Sequence, residues 1–241
     1  MKNEERPQHQ ATARSRTVAT TVLMVATFMD LMDSTITNVA LPTIGKDLHA
    51  TPEQLEWTLA GYVIAFATLL ITGGRLGDIF GHRRIFVIGM VGFTLASLGA
   101  ALSQTGDLLV ATRVIQGAFA GIMVPQVLSS VQVMFAPEER APVLGIIGAL
   151  SSLGAIGGLI LGGWLVTADL LGMGWRSIFL VNVPVGVVLV AAALLFVPRS
   201  RSEHPLRPDL VGVLLGGLGV FLVVFPLTDG RAAGWAWWIW A

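Results

Sequence analysis

Residues 17–39 read TVATTVLMVATFMDLMDSTITNV, an apolar run long enough to cross a bilayer that nevertheless contains Asp30 and Asp33. A helix of about twenty apolar residues spans the hydrocarbon core, whereas an ionised carboxylate at its centre costs about 2.5–3.5 kcal/mol on insertion scales. The two aspartates lie three residues apart and therefore share one helix face. That face is expected to point into a helix bundle or a wet cavity rather than into lipid.

Apolar runs of this kind recur along the chain, in which 54% of the 241 residues are hydrophobic and only 12% are charged. Soluble domains carry about twice that charged fraction. The apolar windows predict helices at 17–39, 54–73, 85–103, 108–134, 142–166, 177–197 and 209–228, and an eighth that begins at Trp235. A transmembrane β-barrel would show segments of about ten residues in which apolar and polar residues alternate. Because the windows show no such alternation, the sequence predicts an all-α membrane protein.

Composition also divides the chain into parts and orients it. The predicted parts are a tail (1–16), a six-helix bundle (17–197), a linker (198–208), and a final segment (209–241) that holds helix 7 and the start of helix 8. Eleven Lys and Arg residues fall in the tail and the loops on its side, against three on the opposite side. This asymmetry predicts that the N-terminus and the loops on its side are cytoplasmic.

Several function classes are excluded by what the sequence lacks. The 15 basic and 15 acidic residues cancel, so no basic field indicates a nucleic-acid partner. No nucleophile–base pair, metal-ligand spacing or phosphate loop occurs, so neither an enzyme nor a metal or cofactor site is predicted. The histidines at 9, 49, 82 and 204 are expected to be solvated residues of tails or loops.

Arg113, in the fourth predicted helix, is the natural partner of Asp33. Asp33 lies eight residues before Leu41, about 12 Å from the outer end of its helix, and Arg113 lies six residues after Asp107, about 9 Å from the same side. The matching depths predict an ion pair. One interpretation is a static pair that only fixes helix packing; the other is proton coupling, since intramembrane ionisable groups are functional by default.

Proton coupling has a simple physical basis at such a pair. A medium of low dielectric constant favours the protonated form of a carboxyl group, whereas a nearby arginine favours the ionised form. A conformational change that rearranges the pair can therefore load and release a proton. The same negative charge can also attract a cationic substrate, which would compete with the proton.

Four motifs together resemble the major facilitator superfamily, and within it the fourteen-helix drug:proton antiporter branch. They are LMDSTITNVALPTI (31–44), GRLGDIFGHRR (74–84), RVIQGAFAGIMVPQ (113–126) and WRSIFLVNVPVG (175–186). The resemblance covers residues 17–228 and implies two six-helix bundles around a central site. It implies that this chain is the N-terminal half, that helices 7 and 8 link the bundles, and that a C-terminal half or self-association completes the transporter.

The resemblance also implies roles for particular residues. It makes Asp33 and Arg113 the proton-handling pair, with Asp30 as an additional candidate. It makes the helix 2–3 loop a cytoplasmic latch, whose matching residues include Gly74, Asp78, Gly81, Arg83 and Arg84. Asp78 and the arginines are expected to form a charge relay or to cap a neighbouring helix.

Helix 5 departs from the antiporter pattern in one place. Gly154, Gly158, Gly162 and Gly163 match, but Leu159 stands where the family has proline. Small residues at four-residue spacing also let helices approach closely, so a packing role is an equal alternative.

The predicted function is proton-driven export of amphipathic and often cationic drug-like compounds across the cytoplasmic membrane, with the proton gradient as energy source and no cofactor. The partners are then a small-molecule substrate, protons and the bilayer. A proton-coupled symporter for a metabolite is one alternative, which Leu159 allows. A non-transporting membrane fragment is the other.

Overall fold

A computed structural model of the chain describes residues 13–169 and 172–200, together with residues 212, 215, 216, 218, 219, 222 and 223. Every regular segment in 13–169 and 172–200 is helical. Most of the predicted helix 7, the start of helix 8 and linker residues 201–208 lie outside the described residues, and the domain boundaries stay predictions.

Among the described residues, six segments are long and apolar enough to cross a membrane. They are α1 (Ala13–Leu48), α2 (Pro52–Phe80), α3 (His82–Ala101), α4 (Gly106–Met134), α5 (Pro137–Ala168) and a sixth segment, Gly174–Phe196. The sixth segment consists of a 3-10 turn (Gly174–Arg176), α6 (Ser177–Leu180) and α7 (Asn182–Phe196). The all-α membrane fold and the first six predicted spans are thus confirmed, with most helices longer than their apolar windows.

The sixth segment is interrupted where the sequence predicted one continuous helix. α6 ends at Leu180 and α7 begins at Asn182, with Val181 between them in a helical backbone conformation. Pro184 has no N–H to donate to the Leu180 carbonyl, which removes one hydrogen bond from the ladder at this point. The interruption places Asn182 at the first position of α7.

The N-terminal ends of α2 and α4 are joined by their caps. Thr51 accepts a hydrogen bond from the Gln54 N–H and its own N–H donates to the Gln54 side chain, which forms a capping box before Pro52. The Gln54 amide nitrogen also donates to Asp107 in the first turn of α4, at 2.7 Å. These contacts fix the register of α2 against α4.

Along their length, α2 and α4 touch backbone to backbone at glycines. A Cβ at Gly121 would lie 2.5 Å from the carbonyl oxygen of Phe66, and one at Gly73 would lie 2.6 Å from the carbonyl oxygen of Gly121. Gly117 contacts the Tyr62 backbone in the same way. Such close approach is the usual role of small residues between membrane helices, and here it determines where α4 presents Arg113.

α1 and α5 form a second glycine-mediated pair. The glycines of α5 that face α1 are Gly154, Gly158 and Gly162. A Cβ at Gly154 would lie 2.8 Å from the carbonyl oxygen of Phe28, and one at Gly158 would lie 2.7 Å from that of Met32. Gly163 has nothing within 4 Å of its Cβ position, so it does not belong to this interface. Three of the four predicted glycines therefore have a packing role.

The predicted helix 2–3 loop is a single residue. α2 continues to Phe80, α3 begins at His82, and only Gly81 separates them, with φ at +98°. A positive φ of this size favours glycine, so Gly81 is the residue that permits the turn. Gly74 and Asp78 lie within α2, whereas Arg83 and Arg84 lie in the first turn of α3.

Two apolar clusters fill the bundle, one toward each end. The first includes Leu23, Met29 and Phe86, and the second includes Ile36 and Leu109. Along α1 the buried aspartates fall between the last residue of the first cluster and the first residue of the second. The two buried aspartates therefore lie in a layer with apolar packing on both sides.

The close α2–α4 contact predicts that adding one methyl group at Gly121 lowers the stability of the protein. We expect Gly121→Ala to destabilise the full-length gene product by about 1–3 kcal/mol, the usual cost of overpacking, because the new Cβ would contact the Phe66 carbonyl. Gly148→Ala is the matched control, since Gly148 has nothing within 4 Å and alanine favours helix more than glycine does. Thermal unfolding of both variants in detergent measures the difference; equal melting temperatures would contradict the contact.

Candidate functional site: a buried polar network around Asp33 and Arg113

The structure places Asp33 and Arg113 in direct contact, as the matching depths predicted. Nη1 of Arg113 lies 2.5 Å from Oδ2 of Asp33, and their side chains are 1% and 0% exposed. The two residues are 80 positions apart in sequence and lie on α1 and α4. The pair is buried, so each charge depends on the other for its stability.

Two side-chain amides complete the coordination of the Asp33 carboxylate. Nε2 of Gln116 donates to Oδ1 of Asp33 at 2.9 Å, and Nδ2 of Asn182 donates to the same oxygen at 2.5 Å. With Arg113, the carboxylate accepts from three donors on two different segments. Hydrogen bonds to an ionised acceptor are stronger than neutral ones, so this arrangement suits the ionised form of Asp33.

The Arg113 guanidinium is held on several sides. Nη1 also donates to Oε1 of Gln116 at 2.6 Å, and Nε donates to the Thr58 carbonyl at 3.3 Å. The guanidinium carbon lies 4.3 Å from the centroid of the Tyr62 ring and 5.7 Å from that of Phe179. Cation–π contacts and hydrogen bonds together replace the water that a cation loses on burial.

Asp30 belongs to the same network through Tyr62. The Tyr62 hydroxyl donates to Oδ1 of Asp30, and the face of the same ring lies against Arg113. Asp30 therefore turns toward α2, whereas Asp33 turns toward α4 and the sixth segment. The two aspartates share a helix face, as their spacing predicted, but they have different partners.

Four members of the network were missed in the sequence: Tyr62, Ser97, Gln116 and Asn182. The Ser97 hydroxyl accepts from the Gln116 amide at 2.8 Å and donates to the Phe93 carbonyl. A polar residue within an apolar span was the signal that could have identified these residues from the sequence. In addition, Gln116 and Asn182 lie inside motifs that carry the family resemblance. All four are buried.

The latch residues lie elsewhere. The N-terminus of α3 is fifteen residues from Ser97, about 22 Å along the helix, so the latch does not contact the Asp33 network. Gly74 packs loosely, since a Cβ there would lie 3.8 Å from Pro125. Arg83 donates to the Leu194 carbonyl at 3.1 Å, and Arg84 borders a cavity beside it.

The expected charge relay between Asp78 and the arginines is not formed among residues 13–169 and 172–200. Asp78 instead lies 3.5 Å from Nε2 of His82, one helical turn away. The single-residue turn at Gly81 explains the difference: it points Arg83 toward the sixth segment, where the backbone carbonyls at the end of α7 accept its hydrogen bonds.

The expectation that His82 is a solvated loop residue is wrong. His82 is buried, and its Nδ1 lies 2.9 Å from Oε1 of Gln126. The Gln126 amide nitrogen donates to the carbonyls of Gly73 and Ile122, which turns Oε1 toward the imidazole. This orientation of Gln126 places an acceptor in front of Nδ1 of His82. Because α3 begins directly after Gly81, its first residue packs between helices instead of facing water.

Within the part of the chain that the structure describes, no group of three or more His, Cys, Asp or Glu side chains has an arrangement suitable for holding a metal ion. The chemistry that the network itself can perform is the exchange of a proton at a carboxylate held by an arginine.

Comparisons with known proteins agree with this architecture. The family model described as Major Facilitator Superfamily matches residues 23–241. The chain is 44% identical over 225 residues to the probable actinorhodin transporter of Streptomyces coelicolor, covering 92% of this chain and 39% of that protein. It is 37% identical over 219 residues to the tetracenomycin C resistance and export protein of Streptomyces glaucescens, covering 90% and 39%.

A third relative is the puromycin resistance protein of Streptomyces alboniger, 37% identical over 216 residues and covering 89% of this chain and 42% of that protein. This chain thus spans less than half the length of these curated relatives. Their names are those of transport, export and resistance proteins, as the predicted drug-transporter branch implies.

Solved structures show the same fold at low identity. A bacterial homologue of the human lysosomal transporter Spinster, inward-facing and occupied, has a TM-score of 0.66 at 20% identity, covering 92% of this chain and 54% of that one. The inward-open xylose transporter XylE from E. coli has a TM-score of 0.64 at 15% identity, covering 91% and 57%.

These findings confirm the family that the motifs predicted, and the family is one of transporters rather than enzymes. The six membrane-length helices among its described residues make this chain a multi-pass membrane protein. The chain belongs to the Major Facilitator Superfamily and corresponds to the N-terminal half of such a transporter.

Proposed function

We propose that this chain is the N-terminal half of an antiporter that exports amphipathic and often cationic drug-like compounds in exchange for protons. The observation that carries the proposal is the buried Asp33–Arg113 pair, held by two amides between two apolar clusters. A purely structural role would be served as well by apolar residues, since a buried ion pair contributes little net stability.

The pair can couple a proton to a change of conformation. When Asp33 takes up a proton, Arg113 remains charged but loses its counter-charge, and an unpaired buried charge costs about 3–5 kcal/mol. A conformation in which Arg113 reaches water or another acceptor then becomes favoured. An energy difference of this size is enough to reverse the populations of two states, so protonation can select between the two states of alternating access.

The direction and substrate class are proposed from the relatives. Proteins named for actinorhodin transport, tetracenomycin C export and puromycin resistance suggest export of amphipathic organic compounds. The excess of positive charge on one side supports a cytoplasmic N-terminus in the cytoplasmic membrane. A second six-helix bundle, or a second copy of the chain, would supply the other wall of the substrate site.

The first test replaces the proposed proton carrier. Asp33→Asn in the full-length gene product, reconstituted in proteoliposomes, should abolish puromycin transport driven by a pH gradient, because an amide of the same size cannot exchange a proton. Asp107→Asn makes the same chemical change outside the buried network, where the residue only accepts from Gln54, and should leave transport intact.

The direction of movement is read in the same vesicles. Antiport predicts that puromycin moves in the direction opposite to the proton flow. Symport predicts that puromycin and protons move in the same direction. Full gradient-driven transport by Asp33→Asn would remove Asp33 from the mechanism, and no transport by the unaltered protein in either direction would favour a non-transporting fragment.

The second test removes the amide of Asn182. Asn182→Leu keeps the side-chain size but deletes a donor to the ionised carboxylate, a bond worth about 1.5–3 kcal/mol. Losing a donor to the charged form makes protonation easier, so the pH profile of transport should move upward by about one to two units. Transport measured between acid and alkaline pH gives the midpoint.

Asn38→Leu is the matched control for Asn182. Asn38 is exposed on α1, and its amide donates to the Ser34 carbonyl rather than to a carboxylate. This variant should keep the midpoint of the unaltered protein. An unshifted midpoint in Asn182→Leu would show that this amide does not act on Asp33.

A further inference from the structure

A cavity of about 590 Å³ opens between the start of α3 and the end of α7. Its walls combine three arginines with apolar side chains. The residues that define this arginine cavity are Phe80, Arg83, Arg84, Leu194, Arg199 and Ser200. It lies at the end of the bundle that the charge count predicts as cytoplasmic, and far from the Asp33 network.

Backbone contacts position Arg83 and the segment that carries Arg199. Arg83 donates to the Leu194 and Val197 carbonyls at 3.1 and 3.5 Å, and the His82 N–H donates to the Ser200 carbonyl at 3.0 Å, which holds Arg199 beside α3. The positive charges of Arg83 and Arg199 repel each other.

None of the three arginines forms an ion pair with a carboxylate among the residues that the structure describes. Like charges held together in a partly apolar cavity raise the electrostatic energy unless an anion binds between them. The first turn of α3 contains no acidic residue, so its helix dipole adds to the positive potential. The cavity is therefore suited to an anionic group.

A second, smaller cavity lies further along the same two helices and is called the apolar groove below. It has a volume of about 180 Å³ and is lined by Val91, Leu95, Val187 and Val190 among others. Leu95 and Val187 are 62% and 60% exposed. The seam between α3 and α7 is thus positively charged at one end and apolar along the rest.

The dimensions of the seam match one leaflet of a bilayer. Arg84 and Leu95 are eleven residues apart on α3, about 16 Å along the helix. Half of a hydrocarbon core of about 30 Å is nearly the same length. A molecule with an anionic head and an acyl chain can therefore contact the arginines and the groove at once.

We propose that the α3–α7 seam binds one anionic phospholipid, with its phosphate among Arg83, Arg84 and Arg199 and an acyl chain along Val91, Leu95 and Val187. Basic pockets between membrane helices on the cytoplasmic side bind anionic headgroups in this way. Proton coupling at Asp33 plays no part in the inference. The proposed orientation matters only for which leaflet supplies the lipid.

The test measures lipid binding to the purified full-length gene product in detergent by native mass spectrometry. Phosphatidylglycerol is the probe, and phosphatidylcholine with the same acyl chains is the zwitterionic comparison. In Arg84→Gln/Arg199→Gln, phosphatidylglycerol should bind about twenty-five-fold more weakly, at about fivefold per arginine, while phosphatidylcholine binding is unchanged. Arg83 is left intact because it caps the end of α7.

Two further variants separate the parts of the site. Val187→Trp should weaken phosphatidylglycerol binding by filling the groove, and since Val187 is exposed the variant should still fold. Arg75→Gln, on α2 outside the arginine cavity, should bind the lipid like the unaltered protein.

Two outcomes would overturn the proposal. Equal phosphatidylglycerol affinity in the unaltered protein and in Arg84→Gln/Arg199→Gln would show that the arginines do not hold a headgroup. Displacement of the lipid by millimolar inorganic phosphate, with Val187→Trp binding normally, would indicate a site for a free anion instead of a phospholipid.

Discussion

A guanidinium buried in an apolar helix bundle has to be neutralised and hydrogen-bonded, and most of the polar structure of this chain follows from that requirement. Asp33 supplies the charge, and Gln116, Thr58 and the Tyr62 ring supply further contacts to Arg113. Removing any one partner of a buried pair leaves an uncompensated group in a medium that cannot solvate it. The pair is therefore costly to disturb.

The network is also the place where the helices meet. α1 contributes Asp33, α3 contributes Ser97, α4 contributes Arg113 and Gln116, and the sixth segment contributes Asn182. α2 adds Tyr62, and its glycine contacts with α4 fix the depth of the arginine. A change in the charge of Asp33 is thus felt by five of the six segments at once. These segments share one buried network, and packed helices shift between discrete arrangements instead of deforming gradually.

The two ends of the bundle are built differently. At the end that holds the N-terminus of α2, Asp47 accepts from both Trp175 and Arg176, which ties α1 to the sixth segment with a neutralised pair. At the opposite end, His82 is buried against Gln126, and Arg83 donates to a backbone carbonyl of α7. Among the described residues, Arg83, Arg84 and Arg199 form no ion pair with a carboxylate, and this is the basis of the proposed lipid site.

Hydropathy and helix geometry determined much of this protein in advance: the six described spans, the shared face of the two aspartates and the pairing of Asp33 with Arg113 all follow from spacing along single helices. Motif resemblance predicted the family. The tertiary structure alone decided that Asn182 completes the carboxylate shell, that His82 is buried, that Asp78 pairs with it instead of an arginine, and that Gly163 lies outside the α1–α5 contact. The position of a residue along its helix determines how deep it lies in the membrane. Its partner depends instead on how each helix is rotated against its neighbours, which can be distant in sequence: Asp33 and Asn182 are 149 positions apart. That rotation is set by the packing of the whole bundle.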